Sequence, residues 1–546
     1  MKQKSYVHGI SRYSLLGETI GENLRKTCNK FPQREALVSI HQNFRATYND
    51  LWQQTTTVAK ALLAINVKKG DRVAIWSTNR YEWVFVQYAT ARIGAILVNI
   101  NPAYRASELA YALGQSGVSV LISALVNKSS DYKSMIAEVR DQCENLREVI
   151  FFDKAWESFL HKASNISDEQ LEAVESTLQF DDPINIQYTS GTTGFPKGVT
   201  LSHYNILNNG RFTGKRLHYT EEDKVCIPIP LYHCFGMVIG NLCCTSIGAC
   251  MVLPSETFEP LKVLQAVEKE RCTSLYGVPT MFIAELQLPA FDQFDLSSLR
   301  TGVMAGSPCP VEVMKKVQSQ MNMKDVQICY GMTETSPVST QTSAGVPFEK
   351  QISTVGTVQD HLEIKIIDPE TGELRDRNMP GELCTRGYSV MLGYWNNSRA
   401  TDEVIDQAGW MHTGDLATID EEGYINIVGR IKDMILSGGE NIYPREIEEF
   451  LYTHEAIADV QVIGVPNKKF GEEVMAWVKI KPGYHLTKDD LRQFCSKKIA
   501  RYKVPRYWKF VDSFPLTVTG KIRKIEMREA AIKELGLQEA AKIKTA

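Results

Sequence analysis

The run Tyr188-Thr189-Ser190-Gly191-Thr192-Thr193-Gly194-Phe195-Pro196-Lys197-Gly198 carries the strongest chemical signal in this sequence. Its four Ser/Thr hydroxyls, three glycines and one lysine offer O–H groups, backbone N–H groups and a cation to phosphate oxygens. Glycine lets the backbone approach such a ligand closely. A short strand pattern precedes the run (184–188) and another follows it (199–201). No Gly-Lys-Ser/Thr stands at the offset of a Walker A loop. The bland alternative is a Gly/Thr-rich hairpin turn. Other chemistry finds little support: no C-x-x-C pair occurs, His454-Glu455 lacks the second His of H-E-x-x-H, and there is no G-x-S-x-G elbow.

Further short motifs follow in order. They are Asn101-Pro102-Ala103-Tyr104-Arg105, Pro230-Leu231-Tyr232-His233-Cys234-Phe235-Gly236, Ala305-Gly306-Ser307-Pro308 and Tyr330-Gly331-Met332-Thr333-Glu334-Thr335. Thr413-Gly414-Asp415, Gly429-Arg430-Ile431-Lys432-Asp433, Ser437-Gly438-Gly439-Glu440-Asn441-Ile442-Tyr443-Pro444 and Thr519-Gly520-Lys521-Ile522 complete the series. Collinear over more than 400 residues, they resemble the adenylate-forming, AMP-binding superfamily, and most closely its medium-chain fatty-acyl-CoA synthetases.

The resemblance implies a fatty acid:CoA ligase that uses ATP, Mg²⁺ and CoA. A carboxylate attacks ATP to give acyl-AMP and pyrophosphate, and the CoA thiol then displaces AMP. It implies a phosphate cradle of Thr189, Ser190, Gly191, Thr192, Thr193, Gly194 and Lys197, with Gly306 also at the cofactor site and Tyr330 against the adenine. Thr333 would bond the α-phosphate and Glu334 would hold Mg²⁺. Asp415 and Arg430 would take the ribose hydroxyls. Lys521, a compact ammonium on a turn, would bridge carboxylate and α-phosphate. His233 would gate the acyl carboxylate. Lys432 would be the hinge about which a small C-terminal domain rotates, bringing Gly438 and Gly439 to the pantetheine tunnel. Read alone, Lys521 is a solvated surface lysine, Asp415 a turn-former, Glu334 a loop acid and His233 a core histidine. An aryl-acid CoA ligase, another adenylate-forming enzyme and, from a different class, a membrane fatty-acid carrier are the alternatives.

These residues need a frame. Residues 72–76, 82–93 and 95–100 read as strand, helix and strand, a βαβ unit of a parallel sheet. Past residue 355 the pattern alternates with period two, with turns at 368–373 and 420–423, which predicts an antiparallel module. After residue 429 a small α+β domain follows, with a helix at 444–452, strands at 458–465 and 474–480, a helix at 487–499 and a strand at 507–511. The expected class is α/β: a large domain over 1–429, a hinge at 430–432 and a small mobile domain over 433–546.

Residues 225–255 lack Asp, Glu, Lys and Arg. Length alone would let 235–253 span a bilayer, but Pro228, Pro230, Asn241, Gly240 and Gly248 favour a buried helix. That helix would wall an acyl tunnel, with Gly240, Cys243, Cys244 and Gly248 leaving room and Gly302, Val303 and Gly306 opposite. The basic run at 497–509 reads first as a solvated face, next as a CoA phosphate contact and least as a nucleic-acid site.

Composition bounds the rest. Apolar residues at 43% and charged residues at 23% describe a globular chain of several domains, and a net charge of −3 gives no global pull on polyanions. Twelve scattered cysteines suggest small hydrophobes in a reducing compartment. The N-terminus lacks a secretory apolar stretch, so the expected location is cytoplasmic. The expected partners are small-molecule substrates, with neither nucleic acid nor a membrane span, and a homodimer is compatible.

Overall fold

The computed structural model describes residues 3–127, 130–189, 196–307, 309–437, 440–496, 498–517 and 522–541. Two sheets with helices around them form the body. One has seven strands, with Arg72–Trp76, Ile96–Asn99 and Pro183–Thr189 among its parallel members. The other has nine and includes Lys224–Cys226, Ser274–Gly277, Thr301–Ala305 and Asp325–Tyr330 in parallel register. The expected βαβ unit is present, with the helix at Tyr81–Ile93. From Glu82 to Ile93 every residue of it is buried, so it packs on all sides. Gly94, in the left-handed region at φ +68°, ends it, as a C-cap that disfavours a Cβ.

The period-two segment forms a five-stranded antiparallel sheet in the order Tyr6–His8, Leu362–Ile367, Gly381–Gly387, Met411–Ile419, Ile425–Arg430. The N-terminal strand is an addition to the sequence reading: Tyr6 lies opposite Lys365, a pairing that no local pattern announces.

This sheet ends at Arg430, and the next strand, Ile435–Ser437, belongs to a separate C-terminal sheet with Gly471–Ile480. The helix Pro444–Tyr452 has the expected bounds, with proline at its start, where the missing N–H costs no hydrogen bond. The strands run longer than expected, over Ile457–Asn467 and Gly471–Ile480, and the helix shorter, over Lys488–Ser496. A further helix, Lys524–Glu534, covers the second face of this sheet, with Met527 and Ala531 against Ile463, Val465 and Trp477.

The uncharged run is buried but is not one regular helix. Phe235–Leu242 is a π-helix that passes into an α-helix at Cys243–Ile247, followed by the strand Cys250–Leu253. Among the described residues, no helix is long and apolar enough to cross a membrane. All twelve cysteines are buried, and none is joined in a disulfide.

Candidate functional site

Thr413, Gly414 and Asp415 sit in an irregularity between two strands. Glu382 faces Leu416 and Cys384 faces His412, so the three residues 413–415 stand opposite Leu383 alone, two more than regular pairing allows. Such bulges re-aim side chains. Gly414 takes φ +70°, Thr413 Oγ1 donates to the Leu383 carbonyl at 2.7 Å, and Asp415 N donates to Thr413 Oγ1 at 3.1 Å. Asp415 is thereby turned toward Tyr330, whose hydroxyl donates to Oδ2 at 2.7 Å, while Arg430 Nε lies 3.1 Å from Oδ1. Burial pushes the Asp415 carboxyl above its ordinary range, and Arg430 and Tyr330 only partly offset this. The same carboxylate lifts Arg430. A buried, doubly held carboxylate is an acceptor of fixed direction, suited to paired hydroxyls.

Tyr330 ends a parallel strand, and Gly306 follows the neighbouring one, in which Ala305 faces Cys329. Ligands of α/β sheets bind in crevices at such carboxyl ends. Gly306 has φ +90°, a conformation that favours glycine. At Gly331 a Cβ would stand 1.8 Å from the Pro337 carbonyl oxygen, so glycine is required sterically.

Thr333 and Glu334 occupy a buried single turn, Thr333–Thr335. Tyr394 OH donates to Glu334 Oε1 at 2.9 Å, and Lys197 Nζ lies 4.9 Å from the Tyr394 ring centroid. The structure thus joins two motifs more than 130 positions apart through a tyrosine that the sequence reading missed. Its signal was available in Gly393-Tyr394-Trp395. That segment adds to the sheet beside Lys197–Ser202, with Val199 opposite Tyr394 and Trp395 N donating to the Gly198 carbonyl at 2.7 Å.

Thr189 and Lys197 are partners in an antiparallel pair, so the ends of the phosphate-type loop do form a hairpin. Tyr111 OH donates to the Pro196 carbonyl at 3.1 Å, and Tyr188 OH donates to Gln115 at 2.5 Å, bracing its rim. Ser190, Gly191, Thr192, Thr193, Gly194, Gly438, Gly439 and Lys521 lie outside the described residues. Lys432 sits exposed in the turn Ile431–Asp433, between the two sheets.

His233 is half-buried, and its Nδ1 accepts from Phe235 N at 3.1 Å, which selects the Nε2-protonated tautomer of the neutral ring. Side-chain amides hold the segment around it. Asn79 pairs with Ile229 O and Leu231 N, Asn99 donates to Tyr232 O at 2.8 Å, and Gln87 donates to Met237 O at 3.1 Å.

The small residues do not behave as expected. A Cβ on Gly240 would meet Ile227 at 3.2 Å, one on Gly248 would meet the Phe31 ring at 2.6 Å, and one on Gly302 would lie 2.1 Å from Leu275 O. Cys243 Sγ fills the space above Gly214, at 2.7 Å from where its Cβ would be, and Cys244 is fully buried. Close packing of helix on helix and strand on strand uses these positions. Val303, opposite, is likewise fully buried.

The basic run is largely neutralised: Lys503 pairs with Glu446, Arg506 with Glu473 and Lys509 with Glu534, while Lys498 lies over the Phe494 ring.

Known proteins place the chain in a family. Residues 24–395 match the AMP-binding enzyme family and residues 446–521 its C-terminal domain. YngI of Bacillus subtilis (strain 168), named as an acyl-CoA synthetase, is 48% identical over 96% of this chain and 99% of its own. The human mitochondrial medium-chain acyl-CoA ligase ACSF2 is 42% identical over 98% of this chain and 91% of its own. Among solved structures, the anthranilate CoA ligase AuaEII bound to anthranoyl-AMP superposes with a TM-score of 0.84 at 26% identity, covering 95% of this chain and 98% of that one. With the family model covering well over half its length and relatives matched nearly end to end, this chain belongs to the AMP-binding, adenylate-forming enzyme family.

Proposed function

We propose that this chain is an AMP-forming fatty acid:CoA ligase acting on medium-chain acids. The observation that carries the reading is the buried Asp415 carboxylate, held by Tyr330 and Arg430 at the carboxyl edge of a parallel sheet. The names of its relatives support the acyl-CoA product and the medium chain length.

In this reading Asp415 accepts the two ribose hydroxyls, Tyr330 and Gly306 flank the adenine, and Thr189 to Gly194 with Lys197 cradle the phosphates. Charge must be supplied where carboxylate and triphosphate meet. Lys521 supplies it at the α-phosphate, and Thr333 donates a hydrogen bond beside it. Glu334, a hard oxygen donor hydrogen-bonded to Tyr394, fits Mg²⁺, which would neutralise phosphate charge when bound. His233 orients the acid. CoA needs no dedicated base, since a thiol of pKa near ~8.5 is partly ionised at neutral pH. It does need Lys521 out of the way. A swing of residues 433–546 about 430–432 achieves that and brings Gly438 and Gly439 to the pantetheine. The gap between the two sheets at Arg430 and Ile435 supports a hinge there.

Twelve buried cysteines outside any disulfide support a reducing, cytoplasmic setting. The deciding experiment is pyrophosphate release across straight-chain acids of short to long length, with benzoate and coumarate included, with and without CoA. Turnover should peak at medium-chain acids. A peak at benzoate would make the chain an aryl-acid ligase instead.

A further inference from the structure

Strand register brings a second cluster together on one face of the antiparallel sheet. Glu382 and Cys384 are two apart on the strand Gly381–Gly387, so their side chains share a face. His412, on the adjacent strand, lies directly opposite Cys384. Its Nδ1 is 2.9 Å from Glu382 Oε2 and 3.6 Å from Cys384 Sγ. The carboxylate oxygen, sulfur and ring nitrogen all lie within 4.8 Å of one another. Among the described residues, this is the one group of three or more His, Cys, Asp and Glu side chains with such spacing.

We propose that Glu382, Cys384 and His412 form a binding site for a divalent transition ion of borderline softness, such as Zn²⁺. The distances support it. Bonds of about 2.3 Å to sulfur and 2.0 Å to nitrogen at a tetrahedral angle put the two ligand atoms about 3.5 Å apart, close to the separation found. Nitrogen and oxygen ligands would stand about 3.3 Å apart, so Glu382 must withdraw by a few tenths of an ångström. The surroundings suit ligation. Ligating histidines commonly turn their other ring nitrogen to a carboxylate, and Asp406 Oδ2 lies 3.8 Å from His412 Nε2. Glu382 Oε1 is held by Gly414 N at 3.1 Å. Cys384 is wholly buried while His412 is 31% exposed, which leaves a solvent-side position for a fourth ligand.

Binding is an exchange of protons for metal. The Cys384 thiol gives up its proton to solvent as the sulfur–metal bond forms. The proton between His412 Nδ1 and Glu382 leaves, or the ring keeps one on Nε2 facing Asp406. Affinity therefore falls as pH falls. Soft-ligand preference excludes Mg²⁺ and Ca²⁺, which favour all-oxygen shells. The site is separate from Glu334 and does not depend on the proposed reaction. Through Gly414 it touches the turn that presents Asp415, so occupancy would stiffen that turn.

The test uses the untagged full-length chain. Titration with Co²⁺ should produce a thiolate-to-cobalt charge-transfer band that Zn²⁺ abolishes and Mg²⁺ does not. Equilibrium dialysis should find about one Zn²⁺ per chain, with His412→Asn and Glu382→Gln weakening it 10–100-fold and Asp406→Asn about tenfold. Cys384→Ser, which keeps the other cysteines, should lose the band. Should that variant misfold by circular dichroism, His412→Asn gives the same reading. No band in the wild type, or an equal band in Cys384→Ser or His412→Asn, overturns the proposal and leaves a hydrogen-bonded His–Glu pair only.

Discussion

Around Asp415 the chain buries charge and then satisfies it, whereas around residues 235–247 it buries surface that has no charge to satisfy. The first region is organised by direction: Tyr330, Arg430 and Thr413 each reach one atom at hydrogen-bond distance. The second is organised by volume, with Gly210, Gly214 and Gly240 admitting neighbours that a Cβ would displace. Even there, polar groups appear where backbone geometry departs from the α-helix. Gln87 donates to Met237 O and to Asn241 it presents an acceptor at 2.7 Å. A π-helix satisfies its backbone less regularly, and such segments are frequent at functional sites. The Asp415 cluster therefore rests on a few atoms, and the uncharged region on many.

The contrast can be broken most forcefully at Lys521. Lys521→Ala should lower acyl-AMP formation at least 10²–10³-fold while supplied acyl-AMP is still converted to thioester. Equal loss in both half-reactions would contradict the domain swing. Next, Asp415→Asn removes the charge of the proposed ribose acceptor and takes the carboxylate partner from Arg430. With charged hydrogen bonds worth about 1.5–3 kcal/mol each, kcat/KM for ATP should drop roughly 10–100-fold. The ATP dependence of initial rates measures it.

Where packing alone decides, as at Gly302 on the strand Thr301–Ala305, the effect should appear in stability and not in kinetics. Gly302→Ala drives a Cβ to 2.1 Å from Leu275 O, a backbone atom that cannot rotate away. A loss of about 1–3 kcal/mol is expected by denaturant titration. Chain-length preference should stay the same. A shifted preference would mean that Gly302 does line the acyl site.

The pH dependence separates the regions further. His203, buried at the start of the helix His203–Arg216, accepts from Ile20 N at 3.2 Å, and burial pushes its pKa down to about 3. A histidine depressed in the folded state favours unfolding as pH falls below its ordinary value near 6.5. The cost, on the order of a few kcal/mol, grows toward the folded pKa. The wild type should thus lose melting temperature from pH 7 to 5 more steeply than His203→Asn. The smallest effect is expected at Tyr394→Phe. Losing one hydrogen bond to Glu334 costs about 1–2 kcal/mol, or roughly 5–30-fold in kcat/KM for ATP, with the fold intact.

Much of this was legible without coordinates. Proline and glycine placement marked the helix Pro444–Tyr452 to the residue, and the turn at 420–423 marked a hairpin. The short polar motifs were legible as a family signature, and the family they point to is the one the chain belongs to. Tyr394 escaped because its role depends on a strand of two residues, too short to carry a period. The N-terminal strand escaped because its partner lies more than 350 positions away.

The order of polar motifs along the chain, and hence the family and its reaction class, follow from residue identity alone, because functional groups that meet ATP cannot be exchanged freely. Which small residues face a ligand and which face a neighbour was decided only on packing. Glycine reads the same in an open pocket and in a tight contact, and the difference lies wholly in what a distant part of the chain puts against it. The same holds for Glu382, Cys384 and His412, which become one cluster through cross-strand register that no local spacing encodes.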